Sequence, residues 1–193
     1  WWQRNWLQGD MLNRELDFWR ATLDDCPPVL NLPFDRPRPT VQTANGRIKS
    51  FQLQESVVTK LSELSRKNGA TLFMTALAAF QVLLYRYSNQ DDINVGTPIA
   101  NRSRGELERL VGFFVNTVVV RGKLNGNPSF SAFLSRIKEA TMEAFAHQDV
   151  PFEKVIEALQ VERNMSHSPL FQVMFVLQNM ERGDMAAPAG DLE

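Results

Sequence analysis

Two apolar, strand-like runs, Ile93–Ile99 and Phe113–Val120, stand out in the hydrophobic pattern, with a charged turn between them. Six of the eight residues in the second run are apolar, which is typical of a strand covered on both faces near the middle of a sheet. Alternation places Asn116 on a face that is otherwise apolar. A buried amide without partners costs about 1–3 kcal/mol, so Asn116 either makes a structural hydrogen bond or borders a cavity where something polar passes.

Helical spacing of apolar residues predicts several helices around these runs, and a proline-rich stretch that is extended. Helices interspersed with strands in this order favour an α/β fold. A weak strand pattern lies at Arg47–Leu53, and a strong one lies at Phe171–Leu177. The predicted helices run over Trp1–Asp25, over Ser56–Asn68 with Gly69 as the stop, from a Thr71 cap to about Ser88, from a Ser129 cap to before Pro151, and over Phe152–Gln160.

Composition limits the class of protein. The chain has 193 residues and is 44% apolar, which suits one globular domain or one domain with an appendage. A net charge of −1 argues against nucleic acid as a partner. Cys26 is the single cysteine, which fits a reducing, cytoplasmic compartment. No apolar run approaches the roughly 18 residues that a membrane span needs. The chain lacks an initiator methionine, so we expect it to be a piece of something longer.

Candidate catalytic groups are few. His147 and Asp149 lie two residues apart and would not face each other on a helix, so a histidine that ends the helix is favoured over a general base. His167 lies between two serines in a loop, and adjacent side chains rarely converge. Arg102 and Arg104 follow a strand end, where α/β folds often place ligands; a solvated loop is an equal alternative. No histidine or cysteine cluster has the spacing of a metal site.

Four motifs, in order, resemble those of the nonribosomal peptide synthetase condensation domain. They are VGTPIANR at 95–102, VGFFVNT at 111–117, HQDVPFE at 147–153 and RNMSHSPL at 163–170, and the proline-rich PPVLNLPFDRPRP is similar to the family as well. The resemblance implies a chloramphenicol-acetyltransferase-like lobe of the α/β (α+β sandwich) class, with a mixed sheet packed with helices. It implies three parts: an interlobe helix and proline-rich linker over 1–45, the C-terminal lobe over 46–180, and a loose tail over 181–193.

The resemblance also implies a reaction. Family members form amide (peptide) bonds between thioesters carried on the phosphopantetheine arms of carrier domains, in the biosynthesis of antibiotics and other secondary metabolites. The HHxxxDG motif, which holds the family's active-site histidine, is absent from these 193 residues. We therefore expect the C-terminal half of the domain, inactive alone and without a directly bound cofactor. The alternatives are a carrier-protein-binding module, a CoA-dependent acyltransferase-like domain, and a self-sufficient acyltransferase that uses His147 or His167.

Partners and site residues follow from the same resemblance. The implied partners are a missing N-terminal lobe, upstream and downstream peptidyl carrier domains and a following adenylation domain, with self-association through the exposed lobe face. No catalytic residue is assigned within the chain. Arg102 matches the arginine that pairs with the aspartate of HHxxxDG, and Asn116 matches the FVNT asparagine on the tunnel side, so both would support the active site. The other tunnel or motif positions are Gly112, Phe114, Thr117, His147, Asp149, Pro151 and Phe152.

Overall fold

The computed structural model describes residues 5–102, 107, 110–161 and 164–178. Helices pack around a pair of strands, which confirms the α/β class. The predicted tail 181–193 and the first four residues of the predicted N-terminal helix lie outside the described residues. The helices are α1 (Gly9–Leu23), α2 (Glu55–Lys67), α3 (Leu72–Ser88), α4 (Phe130–Ala146) and α5 (Phe152–Ala158), and the strands are β1 (Asp92–Ile99) and β2 (Asn116–Lys123).

The strands β1 and β2 pair in antiparallel fashion, with Val95 opposite Val120. On its other edge β1 meets a third segment. The Gly96 N–H donates to the Val173 carbonyl at 3.1 Å, and the Gly96 carbonyl accepts from the Phe175 N–H at 2.9 Å. This arrangement is a parallel bridge between Gly96 and Met174. The predicted strand Phe171–Leu177 therefore lies beside β1, but the bridge at Gly96 takes the place of a full strand.

Two strand predictions need correction. The run predicted as Phe113–Val120 starts three residues later, at Asn116, because residues 113–115 leave the sheet and line a cavity. Residues 118–122 are buried, as expected, but β2 pairs with β1 alone in the described part of the chain and forms an edge. The predicted strand Arg47–Leu53 is wrong: the segment has no strand structure, and the side chains of Ile48 and Phe51 are exposed.

The helix ends are set by local hydrogen bonds. The Thr71 hydroxyl accepts from the Met74 N–H at 3.2 Å, and the Ser129 hydroxyl accepts from the Ala132 N–H at 3.3 Å. Both side chains satisfy a backbone donor that the first helical turn leaves free. Gly69 follows α2 with a φ of +57°, a conformation that glycine adopts without steric cost. The predicted caps of α3 and α4 and the stop of α2 are confirmed.

A buried apolar layer joins α3 and α4 to the sheet. Leu77 and Ala78 of α3 and Leu134 and Ile137 of α4 are inaccessible to solvent, as is Val120 of β2. Burial of such side chains contributes about 1.5–3 kcal/mol for each large aliphatic group. This layer forms a platform on which β2 packs.

Helix α1 is fixed to the sheet by Arg121. Its guanidinium makes two hydrogen bonds to the Asp92 carboxylate, at 2.8 and 2.6 Å. It also donates to the carbonyls of Thr22 and Asp24 at the end of α1, at 2.8 and 2.6 Å. The hydrogen bond to Asp92 raises the pKa of Arg121 above its usual value. A permanent cation thus satisfies the last carbonyls of α1, where the helix dipole favours positive charge.

Among the described residues, no helix taken singly has the length and apolar content that crossing a bilayer requires. Helices α2 and α3 reach that length and apolar content only as a pair, which is bent by 107°.

Gly96→Ala tests the packing of the Phe171 ring against β1. A Cβ added there would lie 2.5 Å from a ring carbon of Phe171. We expect Gly96→Ala to lower the free energy of unfolding by about 1–3 kcal/mol, because the ring must move to make room. Urea denaturation measures the change. Gly46→Ala is the matched control, since its Cβ would meet open space. Equal stabilities of the two variants would contradict the described packing of Phe171 on β1.

Candidate functional site

A cavity of about 410 Å³ lies between the start of β2 and the turn that leads into α5. Five of the residues singled out from the sequence line it: Phe114, Asn116, Thr117, Pro151 and Phe152. The FVNT segment (114–117) and the PFE segment (151–153) are thus brought together. The other lining residues lie within the same motifs but were not singled out as site positions; they are Asn101, Phe113, Val115 and Glu153.

The Asn116 side chain bridges the two segments. Its amide nitrogen donates to the carbonyls of Gln148 and Val150, at 2.8 and 2.7 Å. Its amide oxygen accepts from the Phe152 N–H at 3.1 Å. Both possibilities left open by the sequence therefore apply, because Asn116 makes structural hydrogen bonds and also borders a cavity. The amide fixes the turn formed by residues 147–152, hereafter the 147–152 turn.

Arg102 lies against an aromatic ring at the cavity. Its guanidinium carbon is 4.3 Å from the centroid of the Phe114 ring, a cation–π distance. The same guanidinium donates to the Leu107 carbonyl. Gly112 lies next to the ring, since a Cβ added there would be 3.0 Å from it. The structure thus brings Arg102, Gly112 and Phe114 together, while Arg104 lies outside the described residues.

His147 follows the last residue of α4, as predicted, but its side chain contacts α1. Its Nδ1 atom is 2.8 Å from a carboxylate oxygen of Glu15. The imidazole stacks on the Phe18 ring with centroids 3.8 Å apart. The His147 carbonyl accepts from the Trp19 indole N–H at 3.1 Å. These contacts make His147 an attachment point for α1.

Asp149 is half-buried in the same turn. Burial, and next the negative charge of Glu15, raise the pKa of its carboxyl above the usual value. Asp149 and His147 do not act as a pair that opens onto the cavity, because neither belongs to the cavity lining.

His167 lies apart from these groups. Its Nδ1 atom is 3.2 Å from the carbonyl of the neighbouring Ser168. The residues that the structure describes contain no group of three or more His, Cys, Asp or Glu side chains that could hold a metal ion.

The contribution of Glu15 was missed from the sequence, although a signal was present. Glu15 falls at helical spacing on the apolar stripe formed by Leu12, Trp19 and Leu23. An acid on such a stripe must find a polar partner when it is buried. The pattern identifies the need for a partner but not its identity, because His147 is 132 residues away along the chain.

Asn116→Ala tests the bridging role. The substitution leaves two carbonyls and one N–H of the 147–152 turn without their partners, so we expect the free energy of unfolding to fall by about 1–3 kcal/mol. Urea denaturation gives the value. Asn125→Ala, at an exposed turn position, is the control and should change stability by less than about 0.5 kcal/mol. A loss no larger than that of the control would show that the three hydrogen bonds contribute nothing net.

The raised pKa of Asp149 predicts that the stability of the fold depends on pH. Its folded-state pKa lies above the ordinary value of 3.8, so between those two pKa values the folded state binds more protons than the unfolded state. Stability then decreases as pH rises through this window, and the loss persists above it. Asp149→Asn should remove this component. Its stability relative to the natural chain should increase from about pH 3.5 to about pH 7 in urea titrations, and a relative decrease would contradict the assignment. Asp17→Asn, at an exposed aspartate, is the control.

Comparison with known proteins identifies the family of the chain. Residues 1–190 match the family model described as the condensation domain. The chain is 56% identical over 192 residues to a linear gramicidin synthase polypeptide of Brevibacillus parabrevis, and 45% identical over 187 residues to malpinin synthetase of Mortierella alpina. These alignments cover 100% and 97% of the chain, but only 4% and 2% of the two synthetases. The chain therefore spans a small part of the length of these relatives.

Solved structures show the same fold. The X-domain from teicoplanin biosynthesis is 31% identical, with a TM-score of 0.84, over 90% of this chain and 40% of that one. A four-domain nonribosomal peptide synthetase bound to AMP and glycine is 33% identical, with a TM-score of 0.83, over 86% of this chain and 13% of that one. The chain has the chloramphenicol-acetyltransferase-like fold that the motifs implied. With three of its four motifs contributing residues to one cavity and its sequence matched to the family model over nearly its whole length, the chain belongs to the condensation-domain family of nonribosomal peptide synthetases.

Proposed function

We propose that this chain is the C-terminal half of a condensation domain and forms one wall of the chamber in which carrier-bound thioesters are joined. The observation that carries the proposal is the cavity at which the FVNT and PFE segments meet. Asn116 bonds across the two segments, so the wall is a built structure and not two loops that happen to lie close together.

The proposed reaction is an acyl transfer from sulfur to nitrogen. The amine of the acceptor aminoacyl thioester attacks the donor thioester carbonyl, a C–N bond forms, and the C–S bond breaks. The donor carrier regains its free thiol, and the amine loses a proton. Proton transfer belongs to the histidine of HHxxxDG on the other lobe. This chain contributes shape and water exclusion through aromatic side chains such as Phe114 and Phe152.

Arg102 would link the two lobes. A guanidinium can bind a carboxylate through two parallel hydrogen bonds, which suits a pair with the aspartate of HHxxxDG. The Phe114 ring beneath Arg102 limits the directions in which the guanidinium can point. Its proposed task is to hold the histidine loop in place, without taking part in proton transfer.

The partners follow from the reaction. An N-terminal lobe would supply the catalytic motif, upstream and downstream peptidyl carrier domains would deliver substrates on phosphopantetheine arms, and an adenylation domain would follow. Val111 and Phe113, next to the cavity, are exposed in this chain, and a second lobe would cover them. Without that lobe, such apolar surface favours self-association. The proposal places the protein in the cytoplasm, where a free cysteine such as Cys26 stays reduced.

The geometry does not favour a self-sufficient acyltransferase. The imidazole of His147 is engaged by Glu15 and Phe18, and the cavity lining includes neither histidine. A carrier-binding module without a catalytic role remains the second candidate, and the experiment below separates the two.

The test compares this chain alone with a complete two-lobe condensation domain that contains it, each supplied with loaded donor and acceptor carriers. We expect amide product from the complete domain and none from the chain alone. Arg102→Ala in the complete domain should lower the rate of product formation about 10- to 100-fold, because the histidine loop loses its anchor. Mass spectrometry of the acceptor carrier measures the product.

Arg66→Ala, at an exposed position of α2, is the matched control and should leave the rate unchanged. Amide product from the chain alone would overturn the proposal. A complete domain that binds carriers but keeps its full rate in Arg102→Ala would favour the binding-module function for this half.

A further inference from the structure

We propose that Glu15 is a positioning residue that acts through His147: helix α1 sets the 147–152 turn, and the turn holds Asn116 at the cavity wall. The inference rests on the proposed function, since it names what fixes that wall. It connects the N-terminal helix, in the interlobe part of the chain, to the chamber.

The first step is the burial of Glu15. Its side chain is 11% exposed, although an ionised carboxylate removed from water needs a partner. Its carboxylate oxygen is 2.8 Å from Nδ1 of His147. Asp17, two residues further along α1, is exposed and pairs with Arg20 on the same helix. The two acids of α1 therefore differ in function, because Glu15 bonds to a distant segment and Asp17 stays within its own helix.

The second step is the fixation of His147 from one direction. Its imidazole contacts Glu15 and Phe18, and its carbonyl accepts from Trp19. All three partners lie on α1. Both the side chain and the backbone of His147 are thus held by the same helix, which defines the direction in which the chain leaves α4.

The third step is the short path from His147 to Asn116. Gln148 follows His147 directly, and its carbonyl is one of the two that accept from the Asn116 amide. The second acceptor is Val150, and the amide oxygen of Asn116 accepts from the Phe152 N–H. A displacement of His147 is transmitted to these bonds over one to five residues of a tight turn.

Helix α1 keeps other attachments when Glu15 is removed. Arg121 binds the carbonyls of Thr22 and Asp24, and the side chains of Trp19 and Leu23 are buried. The variant is therefore expected to fold with α1 in place, and its effect should be local to the turn.

The backbone amide of Phe152 is the reporter, because its proton is bonded to Asn116. Hydrogen exchange at this amide is measured by mass spectrometry with fragmentation, in the complete domain that contains the chain. We expect Glu15→Ala to speed exchange at Phe152 about fivefold, a change set by the net value of one hydrogen bond. Glu15→Gln keeps an acceptor oxygen and should stay within about twofold of the natural protein.

Two controls separate positioning from general destabilisation. Asp17→Ala, on the same helix, should leave exchange at Phe152 unchanged. The amides of Leu77 and Ala78, in the core of α3, should exchange equally in all variants, since a local opening does not reach them. Should Glu15→Ala not fold, Trp19→Phe removes the indole donor to the His147 carbonyl, retains an aromatic ring, and should speed exchange at Phe152 in the same way.

Activity distinguishes this inference from the proposed function. Amide formation by Glu15→Ala is expected to show a lower kcat with unchanged KM for both carriers. Unchanged exchange at Phe152 would overturn the positioning role, whatever the rate. Faster exchange with an unchanged kcat would uphold the positioning role and overturn the proposed function of this wall.

Discussion

The requirement that a half-buried amide find partners for all its polar atoms organises the fold around the cavity. Asn116 meets the requirement by bonding to the 147–152 turn, and so the start of β2 and the start of α5 become one unit. An apolar residue at this position would pack against the turn without fixing its direction. Three directional bonds join the two segments where they line the cavity.

Apolar and polar contacts have separate tasks in the fold. The buried layer of α3, α4 and β2 supplies a stable platform, as burial of aliphatic side chains does in most domains. Orientation comes from two polar networks on α1. Arg121 fixes the end of the helix to the sheet, and Glu15 fixes its middle to the turn. The N-terminal helix is thereby tied both to the platform and to the cavity wall.

The sequence was most informative where structure is determined locally. The caps Thr71 and Ser129 and the stop at Gly69 could be predicted because each depends on residues within one helical turn. The limits of β2 could not, because residues 113–115 are as apolar as the strand and differ in lacking a pairing partner on β1, which ends opposite Asn116. The segment Arg47–Leu53 was predicted as a strand from weak alternation, but a strand also needs a neighbour, and local pattern does not supply one.

In the candidate site, too, local sequence identified some features and tertiary contacts determined the others. Motif resemblance brought Phe114, Asn116 and Phe152 to attention, and the structure places all three at one cavity. The direction of the His147 side chain was not predictable, because it is set by a partner on a helix far away in the sequence. Motifs identify which residues matter together, whereas the tertiary contacts decide which way each of them faces.

A crystal structure of a complete condensation domain that contains this chain, with a phosphopantetheine-linked substrate analogue bound, tests the proposed chamber wall. We expect the analogue to pass along the surface formed by Phe114, Thr117 and Phe152, with the three hydrogen bonds of Asn116 intact. An analogue bound elsewhere, with this cavity filled by side chains of the domain itself, would contradict it.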